Sequence, residues 1–416
     1  MSDASGVPAG PDDERRDRLA LALVVYAVLL AQTLVYPGVD LLAGVYGGEG
    51  VAAPTLFLAV EFAAFVAFAG PWGTLSDRMG ERRRLVAVAA AGGAAGYLLL
   101  ALAAGTGLPF WSVLALRAAQ GGATVGALSL AISALADRSG GNGRNMGIAG
   151  IAIGLGTATG APLGGQLYEL GATVPLYAAA GLLAVAAAGS LVTPDRPPAG
   201  AGSEAARRHG GLSSILAGLR DREDLAVPYA FAFVDRLTAG FFALVGTLYF
   251  REAFGLGPGA TGLLLAAFFA PFALLQYPFG LLSDRVGRVA PVAAGSAAYG
   301  LVVVGVGFAP TVPLVAVAMV AVGVLGALMA PATLALVVDL AGEDGRGAAV
   351  AGFNAAGSLG FLAGSLVGGA VAAEFGFRAA FVVAGGSEFL LALAALPALV
   401  RLGRRSGRTA VFGGGD

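Results

Sequence analysis

Twelve apolar runs, each of 20 or more residues, follow one another along the chain, and this feature limits what it can become more than any other. A run of that length crosses a hydrocarbon core of about 30 Å at 1.5 Å per helical residue. Taken between charged or Pro/Gly-rich breaks, the runs fall at about residues 19–44, 52–75, 84–104, 110–136, 145–168, 173–193, 226–250, 259–282, 289–309, 312–338, 347–371 and 377–400. The expected fold class is therefore an all-α polytopic membrane protein with 12 transmembrane helices. Composition agrees: 57% of residues are hydrophobic and 12% charged, with a mean hydropathy of +0.81, where a soluble domain carries roughly 25% charged residues.

All 25 basic residues are arginine, a bias that with the richness in Ala and Gly points to a GC-rich coding sequence. Without lysine there is neither a phosphate-cradling GxxxxGK[ST] loop nor a Schiff base. With no cysteine and one histidine, His209, thiolate catalysis and the usual zinc sites are also excluded. The chain is expected to use no nucleotide, cofactor or metal, to bind no nucleic acid, and not to be an enzyme, because no nucleophile has a base beside it. Its expected partners are the lipid bilayer, a small-molecule substrate and protons.

The one long polar stretch divides the chain. The expected organisation is a polar N-terminal tail (1–18) without a cleaved signal, a six-helix bundle (19–193), a linker (194–225), a second six-helix bundle (226–400) and a C-terminal tail (401–416). Of the 25 arginines, 21 fall on the side shared by both termini and the linker, so the positive-inside rule puts that side in the cytoplasm of a cell-membrane protein.

An internal repeat emerges from the loops. Gly73-Thr-Leu-Ser-Asp77-Arg78-Met-Gly80 recurs as Gly280-Leu-Leu-Ser-Asp284-Arg285-Val-Gly287, an offset of 207. Asp137 and Arg144 recur as Asp339 and Arg346, and Gly156, Gly160, Gly164 and Gly165 recur as Gly360, Gly364, Gly368 and Gly369. Six crossings per half make the halves parallel, related by an axis along the membrane normal, with a solute site expected between them.

The duplicated GxLxDRxG loop resembles the signature of the major facilitator superfamily, and the resemblance extends over nearly the whole chain. It implies the major facilitator fold, alternating access, and a cytoplasmic latch built on Asp77, Arg78 and their copies Asp284 and Arg285, with Gly73, Gly80, Gly280 and Gly287 shaping the turns. Glu81 stands where the family usually has a base. In the fourth run, Leu114-Ala-Leu-Arg117-Ala-Ala-Gln120-Gly121 resembles the family's LxxRxxQG element. In proton-coupled relatives this arginine tunes a nearby carboxylate; the other reading is an arginine that snorkels or bridges helices. The fifth run carries Gly156, Gly160, Pro162, Gly164 and Gly165, close to an antiporter-type element with the proline one place late. Spacing of four puts Gly156, Gly160 and Gly164 on one face, where another helix can approach closely. The chain is most similar to the proton-coupled drug and multidrug antiporter branch.

Five charges inside the apolar runs are candidates for proton coupling or substrate binding: Glu61, Arg117, Asp235, Arg236 and Glu388. Glu61 and Glu388 lie near mid-bilayer by helical rise, where an unpaired carboxylate is costly to ionise, a property that suits a proton carrier. Neither has an acidic counterpart in the other half. Asp235 and Arg236 point about 100° apart on their helix and are expected to pair with different helices, as an inter-half salt bridge or a coupling site. Asp40, at the outer end of the first run, reads as a solvated helix end. Three Asn and four Gln are few for a strongly polar substrate. Export of a lipophilic or cationic molecule by proton antiport is favoured, with uptake of an organic anion clamped by Arg117 and Arg236, in symport with protons, as the alternative.

Overall fold

The computed structural model describes residues 11–138, 142–192 and 222–405, and among them the chain is helical except for short turns and loops. The 194–225 linker lies almost wholly outside the described residues, as do 1–10 and 406–416. Helix α1 (Pro11–Thr33) opens on a proline, tolerated there because the first helical N–H has no partner to lose. Residues 11–18, expected in a polar tail, are thus its first turns. Asp17 is buried and pairs with Arg138 at 3.4 Å, which docks them against the bundle.

A 3₁₀ turn (Tyr36–Gly38) and the short α2 (Val39–Val45) complete the first crossing. Then come α3 (Ala52–Met79), α4 (Arg82–Ala103), α5 (Phe110–Ala136), α6 (Asn142–Leu170) and α7 (Val174–Val192). The second half opens with α8 (Ala226–Phe241), a π-helical segment (Phe242–Gly246) and α9 (Thr247–Phe254), which together make one crossing. Helices α10 (Pro258–Val286) and α11 (Val289–Phe308) follow. One continuous helical stretch, Val312–Arg405, is broken by left-handed glycines at Gly342 (φ 67°) and Gly376 (φ 83°). It is therefore three crossings: α12 (Val312–Gly342), α13 (343–375) and α14 (377–405). The 55 residues from Ala348 to Leu402 would be far too long for a single crossing. Among the described residues the count of crossings is twelve, six in each half.

Duplication is visible in the packing. The glycine face of α6 lies on α1, Gly156 against Leu29, Gly160 against Thr33 and Gly164 against Leu34. In the second half α13 lies on α8 in the same way, Gly360 against Phe233, Gly364 against Leu237 and Gly368 against Phe241. The last glycine of each series reaches across to the other half: Gly165 meets Pro258 and Gly259 of α10, and Gly369 meets Thr55 of α3. A Cβ at any of these glycines has no room, which is why the backbones can come so close.

The first crossing of each half leaves α-geometry at the same place. Tyr36 and Phe242, the first residues of the 3₁₀ and π segments, lie within one or two residues of corresponding positions under the repeat, and the two segments touch each other across the halves. Both are buried, and neighbours satisfy the carbonyls that the breaks release. Tyr168 of α6 donates to Val35 O at 2.9 Å, and Thr247 donates to Ala243 O at 3.3 Å. Irregular backbone at membrane depth is tolerated where protein buries it in this way.

Contacts between the halves gather toward the end opposite the arginine-rich loops. Arg251 donates to Asp40 at 2.7 Å, so Asp40 is an inter-half ion pair rather than the solvated helix end expected. Gly259 N, in the first turn of α10, donates to Glu169 of α6 at 3.0 Å, an interaction the helix dipole favours. Nearer mid-depth the rings of Phe62 and Phe361 lie 4.3 Å apart. Toward the arginine-rich end, Gly147 and Gly150 of α6 and Gly70 of α3 face open space.

Candidate functional site

A dense polar cluster lies wholly in the first half, where α3, α4 and α5 meet. Gly121 of α5 packs against the backbone of Glu61 in α3, and Gly96 of α4 packs against Gln120 of α5, so three backbones converge on two long polar side chains. Arg117 Nη2 donates to Glu61 Oε2 at 2.6 Å, and both side chains are 0% exposed. Arg117 Nη1 donates to Gln120 Oε1 at 2.7 Å, and Gln120 Nε2 donates to Thr124 Oγ1 at 2.7 Å. Tyr97 OH approaches Glu61 Oε1 at 3.5 Å. The guanidinium lies 4.7 Å from the centre of the Phe57 ring and 5.5 Å from that of Tyr97, so aromatic faces cover what hydrogen bonds leave bare.

Arg117 therefore does not snorkel. Its Nε alone remains unpartnered and buried. A charge-assisted pair this short, out of water, is a binary device: a proton on Glu61 neutralises the acid and removes most of the attraction that holds the guanidinium. Tyr97 and Gln120 complete this site. Gln120 was legible as part of the LxxRxxQG element, whereas nothing in the sequence singled out Tyr97.

In the second half the structure separates what the sequence had set side by side. Asp235 and Arg236 were expected to pair with different helices or to bridge the halves. Instead, among the described residues, they make only a loose pair with each other at 3.9 Å, with the Arg236 side chain 49% exposed and that of Asp235 15% exposed. Arg236 runs past Gly357 of α13 in its own half. Arg117 is enclosed with Glu61 and Gln120, so the two-arginine clamp for an anion is not formed in this conformation. Glu388 of α14 is 0% exposed.

The arginine-rich end carries one latch in each half, with a different arginine from the one the resemblance implied. Arg82, at the start of α4, binds Asp77 of α3 at 3.5 Å and also pairs with Asp137 at the end of α5. In the second half Arg288 binds Asp284 at 2.5 Å, Asp339 of α12 at 3.3 Å and Ser283 Oγ at 2.7 Å. Arg78 and Arg285 are exposed. Gly80, with φ 68°, and Gly287, with φ 86°, turn the chain so that the next arginine points back at its aspartate. The recurrence of Asp137 and Asp339 was the available signal for the third member of each latch. Glu81, in place of the usual base, pairs with Arg84 at 2.7 Å outside the latch.

With that geometry in place, comparison with known proteins is informative. The sequence profile of the Major Facilitator Superfamily matches residues 21–250 and again 229–413. The chain is 31% identical over 246 residues to the class G tetracycline resistance protein of Vibrio anguillarum, covering 56% of this chain and 59% of that one. It is 34% identical over 113 residues to the multidrug efflux pump LfrA of Mycolicibacterium smegmatis, covering 27% of this chain and 22% of that one. The chain thus spans less than two thirds of the length of these relatives. Among solved structures, a bacterial homologue of the human lysosomal transporter Spinster, inward-facing and unoccupied, superposes with a TM-score of 0.75. At 14% identity, with 97% of this chain and 100% of that one covered, the likeness is one of fold.

Proposed function

The chain belongs to the Major Facilitator Superfamily, and on that premise we propose that it is a proton-coupled antiporter that exports a lipophilic or cationic small molecule by alternating access. One observation carries the reading: a glutamate–arginine pair at mid-membrane depth, 2.6 Å apart and closed to solvent on both partners. Holding such a pair is costly unless a change of charge there does something. The similarity to two drug-resistance transporters and the scarcity of polar side chains support the substrate class.

Under this reading the arginine-rich end is cytoplasmic, both termini lie there in the cell membrane, and the inter-half contacts around Asp40, Glu169 and Gly369 close the outer face. A proton reaching Glu61 from outside loosens Arg117, which keeps Gln120 and the two aromatic faces. Substrate and proton then alternate as the halves rock on the paired glycine faces. Inward movement of one proton contributes about 2.3 kcal/mol per 100 mV, besides any pH gradient.

A second reading, uptake of an organic anion together with protons, is favoured by the half-exposed Arg236, a cation not tied down by a short bond. The deciding measurement is internal pH in proteoliposomes challenged with lipophilic cations and with organic anions, wild type against Glu61→Gln. Gln retains an oxygen acceptor for Arg117, so the variant is expected to fold. Cation-driven proton movement that is lost or reduced in Glu61→Gln supports the exporter; undiminished coupling in that variant sinks the assignment. A response to anions alone makes Arg236 the primary substrate contact.

A further inference from the structure

Glu388 is the buried acid that the mechanism above does not use. It lies in α14 where that helix packs against α11 so closely that Gly300 touches the backbone at Gly385 and Phe389. Its side chain is 0% exposed, and neither carboxyl oxygen accepts a hydrogen bond of good geometry, the Ser296 hydroxyl beside it being turned to Met329. The groups that face it are few. From α11 come Ser296 and Tyr299, with the Ser296 hydroxyl directed at Met329 Sδ of α12 at 3.3 Å. From α8, Asp235 is within electrostatic reach, and beyond it stands Arg236. No cation pairs with Glu388 among the described residues.

An ionised carboxylate with no donor and no cation is the costliest form a glutamate can take in such a place. A glutamate kept only to tie helices together should be tied to something, and this one is not. The neutral acid suits the site: it is uncharged, and its O–H can donate to Ser296 Oγ. Asp235, its side chain partly exposed beside Arg236, is the acidic group within electrostatic reach of Glu388.

We propose that Glu388 is a second proton-carrying group, occupied as the neutral acid in this conformation, and that Asp235 relays its proton. In the loading step an O–H bond of protonated Asp235 breaks and an O–H bond forms on a Glu388 oxygen. Asp235 is left as a carboxylate beside the Arg236 guanidinium and takes its next proton from water. Unloading runs the same step backwards. The two halves then carry separate protons, one at a paired glutamate and one at an unpaired one. The proposal shares with the proposed function only the premise of proton coupling, and Glu388 does not depend on Glu61.

The test joins infrared difference spectroscopy of the purified, lipid-reconstituted protein to proton-to-substrate ratios from reversal potentials. Wild type should show a protonated-carboxyl band that Glu388→Gln removes and Glu61→Gln leaves in place, and Glu388→Gln should move one proton fewer per substrate. Asp235→Asn should slow hydrogen–deuterium exchange of that band at least tenfold while leaving its intensity unchanged, and this arm stands even if the Glu388 variant misfolds. A band that survives Glu388→Gln, or a ratio unchanged in a folded Glu388→Gln protein, overturns the proposal. Coupling kept in Glu61→Gln but reduced in Glu388→Gln would overturn the Glu61 assignment while leaving this one standing.

Discussion

The two halves share a scaffold down to single residues, yet their buried glutamates live in opposite conditions. Glu61 accepts a 2.6 Å bond from Arg117, and tyrosine and phenylalanine faces close around the pair. Glu388 has no donor. Under the repeat Glu61 corresponds to Phe268, whose ring packs 4.6 Å from Phe269 and 5.7 Å from Phe242, so the second half places an aromatic cluster where the first places an ion pair. What recurs is the machinery of movement: glycine faces, latches, and breaks in the first crossing of each half. What differs is charge. On the proposed function, the halves share the parts on which they rock and differ in the parts that carry charge.

The sharpest way to break this comparison is to strip the cation from the paired glutamate. Arg117→Met leaves Glu61 enclosed without its cation, so that it must hold a bare charge or take up a proton, which should destabilise the protein by about 3–5 kcal/mol, read as a large drop in thermal midpoint in detergent. Adding Glu61→Gln to that variant should restore most of the loss, because the uncompensated charge is gone. A single variant as stable as wild type would mean that water reaches the pair and that the halves do not differ as described.

A smaller effect should strike both halves alike. Val at Gly160 drives a side chain into Thr33 and the backbone of Leu30, and Val at its counterpart Gly364 does the same at Leu237. Each should cost about 1–3 kcal/mol by overpacking and reduce substrate flux. Thermal unfolding and transport rates of the two variants should match within a factor of two or three. Damage in one half only would show that the glycine faces are not equivalent.

How much of this was legible follows from which signals are local. The spans were readable because apolar length is a property of consecutive residues, and the glycine faces because spacing of four is. The depth of Glu61 and Arg117 also came from counting residues. The breaks were not readable: Pro37-Gly38 hinted at the first, but Phe242–Gly246 looks like any apolar run. The pairing of Asp40 with Arg251, separated by 211 residues, depends on how the halves dock. Likewise Arg78, Arg82, Arg83 and Arg84 are equivalent as composition, and only the Gly80 turn decides that Arg82 faces Asp77.

The paired breaks give a further test of equivalence, at about 1 kcal/mol. Tyr168→Phe removes the donor to Val35 O in the first half, and Thr247→Val removes the donor to the π segment in the second. The first should cost slightly more, since its bond is 2.9 Å against 3.3 Å or longer for Thr247. Equal or reversed losses in chemical denaturation would indicate that the π segment depends more on its side-chain support than its geometry suggests.

The smallest expected change is at the unpaired glutamate. In Glu388→Gln no ion pair is broken and the carboxamide N–H can still donate to Ser296 Oγ, so stability should stay within about 0.5 kcal/mol of wild type. Glu388→Met, which fills the same space without a polar group, should be neutral or more stable, since nothing there requires an acceptor. The contrast with Arg117→Met is then several kcal/mol between two fully buried charge-bearing positions. A loss of 2 kcal/mol or more in Glu388→Gln would mean that the carboxyl has a partner that matters to folding. In that event the second glutamate would be a strut like any other buried polar group, and the difference in charge between the halves would have no bearing on protons.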